Sequence, residues 1–349
     1  MAAPKRVPVP SAKPARAAKP TPAARPTVAP GGRPTAPDKP APKPAERRVL
    51  RKGEPLRVLI SGASGMIGTE VRRQLEAQGH TVLKLVRRAP SGPNEFTWAP
   101  DAKILDFRVL ETVDAVINLS GASLSRVPWT PGWKRQIRSS RINSTRALVE
   151  AMSMASRPPA VFLSASAVGI YGSRPGEELT EESPRGEGFL ADVVADWEAA
   201  ALLGPDVTRT VLLRTGVVLG PHGALSPLRL LTRVGGGGPI GSGQQYWPWI
   251  GLHDEAAAIV HLLTSTLSGP VNLVGPQPAT MEQLGRRLAK DLRRPFAIRA
   301  PEPILKLALQ DAAGELLLAD QKVLAGKLLA DGFTFRDATS DAGIDAYAR

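Results

Sequence analysis

The pattern of hydrophobic and polar positions changes abruptly at Leu56. Upstream, segments such as Ala12–Pro22 and Pro37–Pro44 have almost nothing apolar to bury. Downstream, Arg57–Ser61 (RVLIS) is a short apolar run, the pattern of a buried parallel strand. Ile67, Val71 and Leu75 recur at i, i+4 and i+8, which predicts an amphipathic helix ending at Gly79. Thr81–Val86 (TVLKLV) predicts a second strand and Asp114–Leu119 (DAVINL) another. Trp133–Met154 predicts a long helix with Ile137, Leu148 and Val149 on one side. Ala160–Ser164 and Thr210–Leu213 predict further strands, with a helix over Phe189–Leu202 between them. Strands alternating with helices imply the α/β class and a doubly wound parallel sheet. After Gly235–Gly238 the alternation is less regular, and helices over Met281–Leu292 and Pro303–Leu309 predict a smaller C-terminal lobe. The expected organisation is a tail over 1–54, a sheet domain over 55–234 and a C-terminal lobe over 235–349, with some strands of the lobe returning to the sheet.

Composition sharpens the reading of the tail. Residues 1–54 hold 13 of the 34 prolines and 13 Lys/Arg against 3 Asp/Glu. Such a segment cannot offset its ordering entropy, so it is expected to be disordered with polyproline II character. The remaining residues carry 32 basic and 29 acidic side chains, so the formal charge of +13 resides mainly in the tail. The body therefore gains no nucleic-acid signal from its charge. The tail reads first as a solvated, solubilising segment, with loose contact to nucleic acid or an acidic surface as the alternative. It lacks the 7–15-residue apolar stretch of a secretory signal, and a transit peptide is basic and acid-poor in the same way but richer in Ser.

The chain has no cysteine, which excludes disulfides, thiolate metal sites and a cysteine nucleophile, and fits a reducing, cytoplasmic compartment. No run of 18 apolar residues predicts a membrane span. The four histidines, His80, His222, His253 and His261, show no HxxxH or HExxH spacing, so no metal site is expected.

The chemistry concentrates between the first strand and first helix. There Ser61-Gly62-Ala63-Ser64-Gly65-Met66-Ile67-Gly68 forms a glycine-rich turn that aims free N–H groups and the helix dipole at a pyrophosphate. Gly62 permits the tight turn, Gly65 leaves the phosphates unobstructed, and Gly68 lets the helix lie close to the strand. The spacing is GxxGxxG rather than GxGxxG, but a strand before, a helix after and a second strand at the right distance identify a Rossmann-type dinucleotide site. The second strand ends in Arg87-Arg88, where an NAD site usually places Asp or Glu. A positive pair suits the 2′-phosphate of NADP instead.

These residues, with NLSGA at Asn118–Ala122, SASAVGIYG at Ser164–Gly172 and LRTGVVLG at Leu213–Gly220, resemble an extended, atypical short-chain dehydrogenase/reductase. More narrowly they resemble the uncharacterised nucleoside-diphosphate-sugar epimerase-like family, whose members are sometimes labelled cell-division inhibitors. SRINSTRALVEA (Ser140–Ala151), FLADVVADWEAAA (Phe189–Ala201), WPWIGLHDEAAAI (Trp247–Ile259) and GPVNLVGPQPAT (Gly269–Thr280) extend the resemblance over about residues 55–349. It implies that Gly62, Ser64, Gly65, Met66, Ile67, Gly68, Arg87, Arg88, Ser120, Gly121, Ala122 and Ser164 line an NADP site. It also implies that Ser164 and Ser166 end a strand facing the nicotinamide, and that Trp247, Trp249 and Gly235–Gly238 border a small-molecule substrate pocket. Where the family reads W-I-H-x-D-D, this chain has Trp249-Ile250-Gly251-Leu252-His253-Asp254, so its histidine stands two positions later.

The resemblance also implies a Tyr acid/base with a Lys four residues on that lowers its pKa. No YxxxK exists here. Tyr171 is followed at i+4 by Pro175 and Tyr246 by Ile250, and Tyr347 is almost terminal. No lysine occurs between Lys134 and Lys290, and the family positions of the pair fall on Leu190 and Val194. Tyr171 and Ser166 remain as catalytic candidates. Ser166 could polarise a carbonyl by hydrogen bonding alone. Two functions stay open: an NADP-dependent oxidoreductase or epimerase with a non-standard proton donor, or a cofactor-binding sensor or partner-binding protein with little turnover.

Overall fold

The computed structural model describes residues 48–221, 223 and 225–347. The tail expectations for residues 1–47, nucleic-acid contact among them, and His222 lie outside the described residues. Seven strands build one parallel sheet: β1 (Arg57–Ser61), β2 (Thr81–Val86), β3 (Glu95–Thr97), β4 (Ala115–Asn118), β5 (Val161–Ala167), β6 (Arg209–Thr215) and β7 (Gly269–Leu273). The order across the sheet is β7-β6-β5-β4-β1-β2-β3. Winding reverses at β1, which pairs with β2 on one side and β4 on the other, so the crevice beyond its carboxyl end is the place where such sheets bind ligands. Ser61, Asn118 and Ser164 stand level there, in register across β1, β4 and β5.

The main helices are α1 (Met66–Ala77), α2 (Pro131–Met154), α3 (Phe189–Ala201), α4 (Leu225–Arg233), α5 (Leu252–His261), α6 (Met281–Asp291) and α7 (Glu302–Leu309). α1 and α5 cover one sheet face and α2 and α3 the other, which is why the strands read as continuous apolar runs. Val58, Ile60, Ile117, Leu163 and Leu213 pack with Val71 and Leu75 of α1 and Ile259 of α5. Leu59, Leu85, Val116, Phe162 and Leu212 pack on the other side with Leu148 and Met152 of α2 and Ala201 of α3. Each of these side chains except that of Ala201 contributes about 1.5–3 kcal/mol when fully buried.

The boundaries follow local chemistry. α2 begins at Pro131, earlier than the apolar periodicity suggests, because proline suits a first helical position and the Thr130 hydroxyl accepts the Trp133 N–H at 3.2 Å. β5 and β6 run past their expected ends to Ala167 and Thr215. Two strands escape the sequence pattern, the three-residue β3 and β7, whose GPVNL opens with two residues that disfavour strands. Leu50, in the stretch expected as tail, is buried in the same cluster as Leu56, and Arg48 pairs with Asp114 at 2.6 Å.

Past β6 the chain forms short ladders. Val217–Leu219 pairs with Trp249–Gly251, and Tyr246–Trp247 with Ala279–Thr280. Trp247 and Trp249 are core residues of the C-terminal lobe, packed with Met281, Leu284 and Leu288, and their indole N–H groups donate to the carbonyls of Leu317 and Gln277. Lys322–Val323 pairs with Glu178–Leu179, which brings the end of the chain back beside the β5–α3 connection. Among the described residues, no helix is long and apolar enough to cross a membrane.

Candidate cofactor and substrate site

The glycine loop closes as its sequence demands. Gly62 has φ +77°, and a Cβ there would lie 2.7 Å from the Leu119 carbonyl oxygen. A Cβ on Gly68 would lie 2.3 Å from the Gly62 oxygen, so α1 can press against the turn only without a side chain. The Gly65 N–H donates to the Gly62 carbonyl at 3.0 Å, while α1 starts with no side-chain cap and no acid in its first turn. The N–H groups at Met66, Ile67 and Gly68 are therefore free for an anion, and Ser64 is exposed at the loop's tip.

The loop is tied to its neighbour through buried polar groups. Ser61 Oγ donates to Asn118 Oδ1 at 2.6 Å, Asn118 Nδ2 donates to Thr145 Oγ1 at 2.9 Å, and the Ser120 N–H reaches Asn118 Oδ1 at 3.4 Å. The Ser120-Gly121-Ala122 turn thus stands beside the glycine loop, and Ala122 N–H donates to Ser140 Oγ at 3.0 Å. Under Gly121 lies Arg141, which the sequence pattern did not single out. Burial lowers the pKa of its guanidinium to about 10; Nη1 donates to the Ile137 carbonyl at 3.0 Å, and the group stacks over the face of Trp197.

Adjacent arginines at the end of β2 differ. Arg88 grips Glu95 with two bonds, 2.7 and 3.1 Å, and Glu95 also takes Lys84 Nζ and Ser91. Those bonds, the one from Arg88 first, hold the Glu95 carboxyl well below the usual range. Arg87 is exposed and has no hydrogen bond or ion pair among the described residues.

Ser164 and Ser166 turn inward. Along β5 the half-exposed positions are Ala165 and Ala167, while Ser164 is fully buried and Ser166 is 3% exposed. Ser166 Oγ donates to Glu198 Oε1 at 2.5 Å. Glu198 lies on α3 one helical turn beyond Val194 and is held by Arg214 of β6. Arg214 Nη1 also donates to Tyr171 Oη at 3.0 Å, and Tyr171 Oη donates to Asn272 Oδ1 at 2.7 Å. Tyr171 is fully buried. Burial pushes its hydroxyl up, against the Arg214 guanidinium that pulls it down. The structure therefore joins both catalytic candidates in one internal network rather than placing them on an open surface.

The open volume lies next to them. A cavity of about 520 Å³ extends from Gly169 and Leu190 to the chain segment 306–321, with Glu187, Lys306, Gln310, Asp311, Glu315 and Gln321 among its walls. Leu190 is the position where the family pattern places its tyrosine. The wall differs from the expected border of Trp247, Trp249 and Gly235–Gly238, because the tryptophans are committed to the lobe's core and Gly238 packs on the Ile298 backbone. No local signal in 306–321 points to this cavity, since its residues reach it through the long-range Lys322–Glu178 pairing. His253 bonds through its backbone to Tyr347 and Gln74, and its ring approaches Asp254 at 3.3 Å.

Residues 58–275 match the NAD dependent epimerase/dehydratase family, and residues 300–345 match a domain of unknown function (DUF1731). An epimerase family protein of Mycobacterium bovis is 39% identical over 285 residues, covering 81% of this chain and 94% of that protein. The human epimerase family protein SDR39U1, solved with NADPH, superposes with a TM-score of 0.78 at 33% identity, covering 84% of this chain and 99% of that one. A nucleoside-diphosphate sugar epimerase from Corynebacterium glutamicum superposes with a TM-score of 0.70 at 31% identity, covering 85% of this chain and 59% of that one.

Proposed function

The chain belongs to the NAD dependent epimerase/dehydratase family, and we propose that it is an NADP(H)-dependent oxidoreductase acting on a small hydroxy or carbonyl compound. The unpartnered Arg87 beside the glycine loop carries the choice of NADP over NAD. The human relative was solved with NADPH, which supports the same choice.

In this reading the free N–H groups at Met66–Gly68 hold the pyrophosphate, with Ser64, Gly62 and Gly65 shaping the loop around it. Arg87 holds the 2′-phosphate, and the Ser120–Ala122 turn borders the cofactor over Arg141. When bound, the nicotinamide supplies or accepts a hydride, chemistry that depends on positioning more than on a side-chain acid. Ala165 and Ala167 leave space at the end of β5, and Leu190 presents an apolar face to the cavity. Ser164 contributes through the level ends of β4 and β5 rather than through its hydroxyl. Ser166 and Tyr171 act as positioning residues through Glu198 and Arg214, and the proton exchanges with water or the substrate's own groups.

The test is direct. Purified protein loaded with NADPH is offered a panel of aldehydes and ketones while absorbance of the reduced nicotinamide is followed. Oxidation above the substrate-free rate supports the reading; tight NADPH binding with no oxidation across the panel supports the second one. That second reading, a cofactor-binding protein with little turnover, is favoured by the aliphatic pair Leu190 and Val194 at the acid/base positions.

A further inference from the structure

The cavity beside α3 has a definite chemical preference. Amide groups at a helix N-terminus are where a substrate phosphate ordinarily seats. Here the first two N–H groups of α3, on Phe189 and Leu190, donate to Glu315 Oε1 and Oε2 at 2.8 and 3.0 Å. A carboxylate of the chain itself fills that position. Among the described residues, the cation of the wall is Lys306, whose Nζ pairs with Glu302 at 2.5 Å, while the wall's Asp311 pairs with Lys134 from outside it. Among the described residues, no arginine lines the cavity.

Among the described wall residues, the free polar groups are the exposed Gln310 carboxamide, which donates or accepts, and two acceptors, on Gln321 and Glu187. Gln321 is 8% exposed and donates both amide hydrogens, to the carbonyls of Val168 at 3.1 Å and Gly172 at 2.7 Å. Its carboxamide oxygen is the polar atom it can offer the cavity. Glu187 lies on the rim with no hydrogen bond or ion pair among the described residues. A ligand that satisfies these groups donates to them, with a hydroxyl to Gln321 and an ammonium to Glu187, while its carbon skeleton lies on Leu190.

We propose that this cavity takes a hydroxylated, amine-bearing small molecule and rejects nucleoside diphosphates. The proposal rests on the oxidoreductase reading above and supplies its substrate class. A diphosphate would bring its charges against Glu187 and Glu315, and the cation of the described wall, Lys306, is already paired with Glu302. Each like-charge approach at about 6 Å in a partly solvated cleft weakens binding about tenfold.

Calorimetric titration of the full chain saturated with NADP+ tests it, using glucosamine, glucose and UDP-glucose at about pH 6.5, where the amine is protonated. Glucosamine is expected to bind at least about tenfold tighter than glucose, with UDP-glucose weaker than both. Glu187→Gln is expected to erase the preference for the amine, and Leu190→Trp to abolish glucosamine binding by filling the cavity. Binding of UDP-glucose ahead of glucosamine, or glucosamine no better than glucose (including no binding of either), overturns the proposal. The NADP+ titration that precedes the sugars reports separately on the oxidoreductase reading. If NADP+ fails to bind, that reading falls, and the same comparison of the three sugars on the unloaded chain still judges the cavity.

Discussion

Glu198 of α3 and Arg214 of β6 meet as a two-pronged ion pair inside the protein. Arg214 Nε and Nη2 donate to Glu198 Oε1 and Oε2, both at 2.9 Å, with the residues 8% and 9% exposed. Ser166 adds a third donor to Glu198, and Tyr171 takes the remaining nitrogen of Arg214. Burial of Arg214 works to lower its pKa, and the bonds to Glu198 outweigh that and raise it. The pair thus fixes the ends of β5 and β6 against α3, at the floor of the proposed active site.

Breaking this pair on one side should be costly. Glu198→Leu leaves a buried guanidinium without its carboxylate, and the expected loss is about 3–5 kcal/mol of unfolding free energy. Glu198→Leu combined with Arg214→Met removes both charges and should recover most of that loss. Urea denaturation of the two variants gives the comparison. A double variant no more stable than the single one would show that the pair is not the unit of stabilisation.

The two arginines at the end of β2 should separate in their effects. Arg87→Ala should weaken NADPH binding by about 10–100-fold, the worth of a charge-assisted contact, and leave NADH binding unchanged. Arg88→Ala should change cofactor preference by less than about threefold and instead lower the melting temperature slightly, because Glu95 loses its two-pronged partner while keeping Lys84 and Ser91. Fluorescence titration with both cofactors, beside thermal melts, reads both outcomes. Equal losses of NADPH affinity in the two variants would contradict this division.

Much of the sheet was legible because both of its faces are covered. Strands such as Val58–Ile60 and Val161–Leu163 then carry apolar residues at every position, a signal that needs no partner to be seen. β7 was not legible, since Gly269 and Pro270 suppress the pattern and the pairing to β6 supplies the order. The glycine loop is a local motif of eight residues, so its conformation could be read whole. The catalytic candidates could not be oriented from sequence: Ser166 meets Glu198 across 32 residues and Tyr171 meets Asn272 across 101. The cavity was hidden for the same reason, because Glu315 caps a helix that begins 126 residues earlier.

Glu255 gives the fold a pH dependence. It is fully buried on α5, its Oε1 accepts from Thr215 Oγ1 at 2.8 Å, and its Oε2 has no partner among the described residues. Burial raises its pKa from 4.5 to about 8. Between these values the folded protein keeps a proton that the unfolded chain has released, so raising the pH favours unfolding. The stability this group contributes is complete below pH 4.5 and declines toward pH 8, by up to about 1.4 kcal/mol per pH unit. Glu255→Gln should remove the decline and be the more stable protein at about pH 8.5. The difference between wild type and variant is the readout, since burial of His80 lowers its pKa and works with the opposite sign. Parallel pH dependences of the two proteins would refute the assignment.

Activity should not depend on a tyrosinate. Bringing a tyrosine from about 10 toward neutrality takes roughly 4 kcal/mol of differential stabilisation, ordinarily supplied in large part by a nearby ammonium. Burial moves Tyr171 the other way, and the cation that touches it, Arg214, is already committed to Glu198. Tyr171→Phe removes one buried hydroxyl and strips a partner from Asn272 and from Arg214, at an expected cost of about 1–2 kcal/mol in stability. Once a substrate is in hand, its effect on kcat should stay below about tenfold, and the pH profile of kcat should keep its shape. Ser166→Ala should behave similarly if Ser166 only orients Glu198, whereas a loss of about a hundredfold or more would mark its hydroxyl as a donor to the reacting oxygen. A thousandfold fall in Tyr171→Phe, with loss of a titration near pH 7, would place the proton donor at Tyr171 and require its ring to leave the core during turnover.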